Sequence, residues 1–554
     1  MTIGNSNFIV VGSGAAGLVG AITAHRAGLR PVIIEKADMW GGTTATSGGV
    51  LWVPNNHLMT AGKDDTPEAA RRYVLSLIGE DAGAREVQKA EAFLGHVAPM
   101  AEFLAEEGVT WKANREHPDY YPGVPGSSRG RTLESIAVDG RELGPRFQTM
   151  RTHDLDMPAI DSEGLATLTR AWRGPGLLLN AARVALNHKL SIMRGRKPLG
   201  LGRALVASLM RIVDRLGIPV HLSTGLADLV VENGAVVGVI VEHDGKRSRM
   251  EAPAGVLLAA GGFSRNAALR RELQGVGQSW PNAIPEDQGD ALRMARAAGA
   301  AMELLDGRWW MPSIQVSPTQ MGLALGMRAL PGSMIVDARG RRYMNEAANY
   351  MTAGRAMFDH GAADENHWLI MDDRFLRRYI FAELSHKSVR KQMMEHEFLV
   401  RADTVEALAR RCGMEPATLS AQVERFNGFA KTGEDLDFDR GASEYDRHWA
   451  DPAQHPNPSL GRIDKGPFWA ALIRPGDLGT NGGIRTNALG QALAQDEKPI
   501  PGLYAAGNSA GSPFRHAYPG AGATIAAAGT FAFIAARHAA AQAGQSVEQG
   551  AQPV

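Results

Sequence analysis

Gly12, Gly14 and Gly17 stand in a G-x-G-x-x-G run, Gly12-Ser13-Gly14-Ala15-Ala16-Gly17, after the β-branched stretch Phe8–Val11 and at the mouth of a helical ITAHRAG segment. An acid, Glu35, closes the next apolar stretch, PVIIE, 23 residues after Gly12. In such a pattern the first glycine makes a tight turn and the second lets backbone approach a pyrophosphate. The third lets helix and strand pack closely. The carboxylate accepts hydrogen bonds from an adenosine ribose, and the phosphates meet the positive end of the helix. The spacing predicts dinucleotide binding. From Lys36 to Gly49 runs a second loop of Gly, Thr and Ser, offering Gly42, Thr43, Thr44, Ser47, Gly48 and Gly49. A nicotinamide dinucleotide needs one phosphate loop; a second set of donors favours the longer flavin dinucleotide, FAD.

Two other patterns suggest chemistry and fail. Gly507-Asn508-Ser509-Ala510-Gly511 matches a hydrolase nucleophile elbow, which needs an acid and then a histidine further along. After Ser509 there is no Asp, and Glu548 follows both remaining histidines, His516 and His538. The sixteen histidines show no H-E-x-x-H or comparable spacing, so no metal site is expected.

The elements that must position the FAD motifs are spread along the chain. Leu226–Glu242 reads as two strands joined at Asn233-Gly234, a strong hairpin signal. Gly255–Ala260 is a buried strand running into Gly261-Gly262, and Gly502–Ala506 repeats that pattern before Gly507. Nucleotide-fold signals at both ends predict an α/β protein with a discontinuous, Rossmann-like FAD-binding domain and an inserted α+β catalytic domain. The expected division is 1–305 and 479–542 for the FAD domain, 306–478 for the insert, and a disordered tail at 543–554. The uncharged run Ala517–Ala536 is long enough to span a bilayer. Its Tyr518-Pro519-Gly520, its further glycines and its alanine content fit a Gly-rich loop feeding an internal helix better.

Composition sets outer bounds. Of 554 residues, 44% are apolar and 64 are glycine, an excess that marks many sharp turns or close approaches of backbone to ligand. Basic and acidic side chains balance at 59 each, so there is no global pull toward nucleic acid. One cysteine, Cys412, excludes an internal disulfide framework, cysteine-ligated zinc and an iron–sulfur cluster. With no secretory signal before the first strand, the expected compartment is the cytoplasm. Residues 183–215 hold eight basic side chains against one acid, Asp214, with apolar residues at helical spacing. That is a solvated helix face or a patch for peripheral contact with lipid headgroups. Nucleic acid is disfavoured there, because no base-stacking aromatics accompany the charges.

The chain resembles the 3-ketosteroid Δ1-dehydrogenases, within the wider flavoprotein family of fumarate reductases and succinate dehydrogenases. The likeness is carried by GGTTATSGGVLWVPNN (41–56), DYYPGVPG (119–126), GRRYMNEAANY (340–350), DLDFDRG (435–441), PNPSLGRIDKGPF (456–468), GDLGTNGGIRTN (476–487), GLYAAGN (502–508) and HAYPGAGATI (516–525). Residues 127–200 match poorly. The resemblance implies 1,2-desaturation of a 3-ketosteroid, with a hydride passing from C1 to the flavin. By resemblance, Tyr350 is the base that takes the C2 proton, with Tyr120 of the Tyr120-Tyr121 pair supporting it. Tyr518 and the Gly522 N–H clamp the ketone oxygen. The cofactor set is completed by Ala260, Gly261, Asp290, Gly507, Asn508, Gly522, Ala523 and Thr524.

The chemistry is self-consistent. Desaturation beside a ketone needs a base, an enolate stabiliser and a hydride acceptor. A free phenol titrates near 10, and a second phenol bonded to it is expected to favour the phenolate. The electron acceptor would be a quinone or an artificial acceptor. The rival readings are a flavin enzyme on the steroid 4,5 bond, an ene reductase on another enone, and a fumarate-type reductase using Arg515 or Arg341. A flavoprotein that only carries electrons is a rival from another class.

Overall fold

The computed structural model describes residues 6–59, 65–152, 161, 164, 175–361, 365–379, 384 and 386–550. Phe8–Val11 is the centre of a six-stranded sheet, paired in parallel with Pro31–Ile34 on one side and Gly255–Leu258 on the other. Val220–His221 extends the first side and Pro499–Ala505 the second, both parallel, and Gln491–Leu493 closes the far edge antiparallel. The three central strands are buried along their whole length. A parallel sheet covered on both faces requires this, and it explains why their sequences are apolar without alternation.

Helix Ala15–Arg26 packs on this sheet and is buried from Ala15 to Ala24. At Gly20 an added Cβ would lie 2.5 Å from Leu257 Cδ2, so glycine sets the helix-to-sheet distance. The C-terminal helix, Ala523–Gly550, lies against it, burying Ala526, Ala532, Ala535, Ala536 and Ala539. Small side chains let two helices approach closely, and this is the internal helix expected from the Ala517–Ala536 run. Among the described residues no helix is long and apolar enough to cross a membrane.

The C-terminal helix runs to Gly550. Its Ala, Gln and Glu residues are good helix formers and extend an already anchored helix. Residues 551–554 lie outside the described residues.

The hairpin forms as expected, from Thr224–Glu232 and Ala235–His243, with positive φ at both Asn233 (50°) and Gly234 (79°). A third strand, Lys246–Glu251, joins it. The sequence hides that strand because all its residues except Met250 face solvent.

A second, antiparallel sheet places Arg308–Gln315, Phe468–Thr480, His367–Asp372 and Ser333–Val336 side by side. Met321–Leu323 lies at one edge, and Leu399–Ala402 also pairs with Phe468–Thr480. The chain passes out to this sheet and back through one short ladder, Met302–Glu303 with Gly483–Ile484. A third sheet, Val50–Trp52, Thr132–Ser135 and Trp111–Asn114, holds the ends of the loop that carries Tyr120.

The basic segment 183–215 divides between two helices, Pro175–Met193 and Leu201–Arg215. The second is largely buried, and Arg211 and Arg215 pair with Glu142 and Glu107. Those two charges are therefore met by acids outside the segment. Of the poorly matching stretch 127–200, residues 153–160, 162–163 and 165–174 lie outside the described residues.

Candidate active site

The cofactor motifs gather where the parallel strands end. Gly12 to Gly17 follow Phe8–Val11, and Glu35 and Lys36 follow Pro31–Ile34. Ala260 and Gly261 follow Gly255–Leu258, and Gly507 and Asn508 follow Pro499–Ala505. The crevice outside the carboxyl ends of such strands is where dinucleotides bind. Gly12 has φ 106°, and a Cβ there would lie 2.4 Å from the Ala259 carbonyl oxygen; a Cβ on Gly17 would lie 1.9 Å from that of Gly12. Only glycine fits either place. Gly14 brings no capping side chain to the Ala15–Arg26 helix; Thr44 Oγ1 takes the Ala15 N–H, and the helix's positive end faces the crevice where a phosphate would sit.

Glu35 is buried. It accepts from Ser13 N (3.0 Å), Ser13 Oγ (2.7 Å) and Ala37 N (3.0 Å). A carboxylate offers about four lone-pair sites, so capacity for a ribose hydroxyl remains. Thr44 Oγ1 accepts from Ala15 N at 3.1 Å and Ile284 N donates to Thr43 Oγ1 at 3.4 Å, tying the second loop to the first helix and to the 284 turn. Lys36 pairs with Asp290. The Ser47 hydroxyl is turned inward to the Thr44 carbonyl (2.7 Å), and Gly49 packs its backbone against Leu201 and Gly202. Gly42 sits against Gly14, while nothing lies within 4 Å of a Cβ at Gly48. A small cavity is lined by Gly507, Asn508 and Thr524 together with Trp309 and Lys89. The backbone cradle and the buried acid with spare acceptor capacity fit the dinucleotide part of FAD.

Four of the nine tyrosines meet beside that cavity. Tyr120 and Tyr350 stand edge to face at 5.0 Å between ring centroids, Tyr350 and Tyr518 at 5.2 Å, and Tyr120 stacks on Tyr518 at 5.5 Å. Tyr445 closes the group edge-on to Tyr120 at 5.1 Å. All four are buried. Tyr350 is the first residue of the helix Tyr350–His360, whose cap, Asn349, accepts from Thr352 N (2.9 Å) and donates to the Tyr120 carbonyl (3.0 Å). Tyr121 lies outside the ring cluster, so the member of the pair that meets Tyr350 is Tyr120.

Gly522 precedes the C-terminal helix with φ 86°, and a Cβ there would lie 2.0 Å from the Val50 carbonyl oxygen. The Tyr518 hydroxyl reaches Thr524 Oγ1 at 3.2 Å. Trp309 stands edge-on to Tyr518 at 5.2 Å. The cavity and the tyrosines therefore share a wall made by Trp309 and Thr524.

Electrostatics correct one expectation. Burial pushes Tyr350 well above the usual phenol range, and the hydrogen bonds to Tyr120 and Tyr518 raise it further. Burial also raises Tyr120 strongly, while the bond from Tyr350 and the Arg328 charge pull it back. Burial raises Tyr518 too, opposed by the Thr524 hydroxyl, by Tyr350 and by the N–H groups of Thr524 and Gly522. The cluster is neutral as it stands.

The FAD binding domain family matches residues 7–525. A 3-oxosteroid 1-dehydrogenase from Mycolicibacterium smegmatis is 38% identical over 99% of this chain and 99% of its own length. The chain belongs to the 3-oxosteroid 1-dehydrogenase family. It is an FAD-dependent oxidoreductase by that membership. Within the family's reach, a 4-oxocyclohexanecarboxylate 2-dehydrogenase from Sinomonas cyclohexanicum is 35% identical over 97% of this chain and 93% of its own length. The crystal structure of a 3-ketosteroid Δ1-dehydrogenase from Sterolibacterium denitrificans, in complex with 1,4-androstadiene-3,17-dione, superposes with a TM-score of 0.91. It is 33% identical and covers 97% of this chain and 99% of that one.

Several residues that build this family site escape sequence reasoning. Arg131 donates to Asp65 through two nitrogens (2.9 and 2.6 Å) and to Asp119 (2.6 Å), and all three are buried. Trp52 Nε1 donates to Asp119 at 2.8 Å. This knot fixes the loop just before Tyr120; breaking such a pair by removing one partner costs about 3–5 kcal/mol. Asp119 and Trp52 stand inside the quoted motifs, but nothing in the sequence marks Tyr73, whose hydroxyl donates to the Pro519 carbonyl. The one sequence signal for Trp309 is the Trp309-Trp310 pair at the start of the insert.

The patterns set aside earlier find ordinary places. Ser509 is buried and donates to the Gly261 carbonyl at 2.8 Å. Arg515 is held by Asp81 (2.7 and 3.0 Å) and Arg341 is exposed, so neither is presented to the tyrosines as a fumarate-type site would need. Burial pushes the Cys412 thiol up to about 12, which keeps it protonated and unreactive.

Proposed function

We propose that this protein desaturates the 1,2 bond of 3-ketosteroids, with the cofactor held between an FAD-binding unit (1–305 and 479–542) and a catalytic unit (306–478). The observation that carries the reading is the shared wall: Thr524 lines the cavity and meets the Tyr518 hydroxyl, and Trp309 lines it and meets the Tyr518 ring. Bound FAD supplies the acceptor for the hydride that leaves C1. Tyr350 takes the C2 proton, Tyr120 shares the charge of the ionised pair, and Tyr518 with the Gly522 N–H bonds the ketone oxygen as it gains enolate character. Such a base is worth roughly 10²–10⁴ in rate and each oxyanion donor roughly 10²–10³.

The test is anaerobic bleaching of the yellow protein by a panel of ring ketones, with product identification after an artificial acceptor is added. Bleaching by a saturated 3-ketosteroid, with a 1,2-unsaturated product and no response to fumarate, supports the reading. A product unsaturated only at the 4,5 bond overturns it. A second reading, desaturation of a smaller ring ketone, is favoured by the 35% identity to the 4-oxocyclohexanecarboxylate enzyme, and that compound belongs in the panel.

The electron acceptor in this proposal is a quinone or an artificial acceptor, and one helix supports contact with a membrane surface. Pro175–Met193 exposes Leu179 (70%), Leu186 (57%) and Met193 (81%), seven residues apart on one stripe. Arg183, Lys189 and Arg194, all exposed, lie around it. An apolar stripe with cationic flanks suits an anionic bilayer surface. Sedimentation with anionic vesicles that weakens with salt, and is absent in Leu186→Glu, is the expected result. Equal sedimentation with neutral vesicles, or none, returns the helix to solvent.

A further inference from the structure

We propose that Arg328 is a positioning residue for the proton transfer: its buried guanidinium holds the backbone entering the Tyr350 helix and stabilises negative charge on the Tyr120–Tyr350 pair. The inference rests on the reading of Tyr350 as the base. Arg328 sits on the short turn Met327–Ala329 and is 1% exposed. Its Nη1 donates to two carbonyls, Glu346 O and, at 2.7 Å, Ala348 O. Ala348 directly precedes Asn349 and Tyr350, with Glu346 two residues before it, and Asn349 in turn donates to the Tyr120 carbonyl at 3.0 Å. One side chain thus fixes the approach of both phenols.

Its charge is unusual for its place. The nearby acids are satisfied by others. Glu346 is bound by Arg342 (2.8 Å through each oxygen) and Arg440 (3.1 Å). Asp446 accepts from Asn345 (2.9 Å), Gly441 N (2.9 Å) and Ser443 Oγ (2.7 Å). Among the described residues no carboxylate pairs with Arg328, and its Nε has no partner. A buried cation bonded only to carbonyls is expensive, and such groups cluster at functional sites.

Among its neighbours Tyr445, Asp446 and Tyr120 favour its charged form and Arg440 opposes it. Tyr120 and Tyr445 are thus the neutral groups on which it favours a negative charge. When the Tyr120–Tyr350 pair loses one proton to solvent, the charge left behind is shared between two phenol oxygens. Arg328 stabilises the Tyr120 share, and Tyr350 is then able to take the substrate proton. Arg328 touches neither substrate nor cofactor in this scheme and acts through Tyr120.

The test compares Arg328→Lys, Arg328→Gln and Asp446→Asn, each checked for FAD content and thermal stability. Two readouts run in parallel: exchange of the ketosteroid α-hydrogen into D₂O against pH, and titration of tyrosinate absorbance in the FAD-loaded protein, variant minus parent. Glutamine keeps a donor for the carbonyls but no charge, so both profiles should move to higher pH by about one unit. Lysine should stay close to the parent. Asp446→Asn removes an acid facing Arg328 and should move both profiles the other way. An unmoved profile in Arg328→Gln, or a lysine variant displaced as far as the glutamine one, overturns the proposal. So do shifts of the same sign in Arg328→Gln and Asp446→Asn. If Arg328→Gln does not accumulate as folded protein, the sign of the Asp446→Asn shift decides alone. A parent that exchanges no ketosteroid hydrogen refutes the proposed function instead, and the tyrosinate titration still decides the role of Arg328.

Discussion

The Tyr73 hydroxyl and the Tyr120 amide donate to the same acceptor, the Pro519 carbonyl, at 2.7 and 3.0 Å. Tyr73 also accepts from Tyr121 N at 3.2 Å. Tyr518 is the residue before Pro519. This one oxygen therefore sets the distance between two members of the tyrosine cluster.

Tyr73→Phe should loosen that junction without touching the cavity. It removes a buried donor and leaves Tyr121 N unsatisfied, a loss of about 1–3 kcal/mol. The expected outcome is a lower melting temperature and a several-fold lower kcat with FAD content unchanged. A kcat equal to the parent's would mean that Tyr120 is held by its other contacts alone.

Tyr350→Phe and Tyr518→Phe should separate by role. The first removes the proton acceptor and keeps ring volume, so turnover should fall by roughly 10²–10⁴ while ligand binding stays near normal. The second deletes one donor to the ketone and keeps the Gly522 N–H, so affinity and rate should both weaken. Exchange of the α-hydrogen into D₂O with a ketosteroid product bound is the deciding measurement. If Tyr350→Phe exchanges as fast as the parent, Tyr350 is not the base.

The rate should climb with pH. Burial raises Tyr350 well above the ordinary phenol value, so the phenolate fraction grows about tenfold per pH unit below its pKa. A plot of log kcat against pH should rise through neutral and alkaline values without a plateau near 7. Stability follows the opposite course. A folded-state pKa raised above the unfolded value gives stability that is complete below about pH 10 and is lost above it, as unfolded phenols ionise first. Tyr73, Tyr120 and Tyr350 all share that sign. A pH–rate profile that levels off below pH 8 would contradict the shift.

Glu35→Ala should purify with less FAD. It deletes the acceptor of Ser13 N, Ser13 Oγ and Ala37 N as well as the proposed ribose ligand. Hydrogen bonds to a charged group contribute about 1.5–3 kcal/mol. Full yellow occupancy with unchanged affinity would remove Glu35 from the site.

Gly522→Ala should be among the most damaging single changes in the chain. Its Cβ would collide with the Val50 carbonyl 2.0 Å away, at a φ of 86° that alanine rarely adopts. Circular dichroism should still show a folded protein, with ketone binding lost and FAD binding reduced. Normal ketone affinity would exclude the Gly522 N–H from the clamp.

By itself the sequence determined the cofactor crevice. Gly12, Gly14, Gly17 and Glu35 are close in the chain, and short-range turn chemistry forces their arrangement wherever a strand meets a helix. Asn233-Gly234 determined its hairpin for the same reason. The motifs also named Tyr120, Tyr350 and Tyr518, but not their mutual geometry. Only the tertiary structure decided that, because the three lie well over a hundred residues apart on segments whose relative position is set by side chains without local pattern. Tyr73 in a plain helix, Arg131 gripping Asp65 and Asp119, and Arg328 reaching the Ala348 carbonyl make contacts that no spacing encodes. Burial decided the rest. It turned the expected phenolate-favouring pair into a neutral one and drew the helix of residues 201–215 into the core. In both cases the energy of a charge depends on what surrounds it in space, and a linear sequence does not carry that.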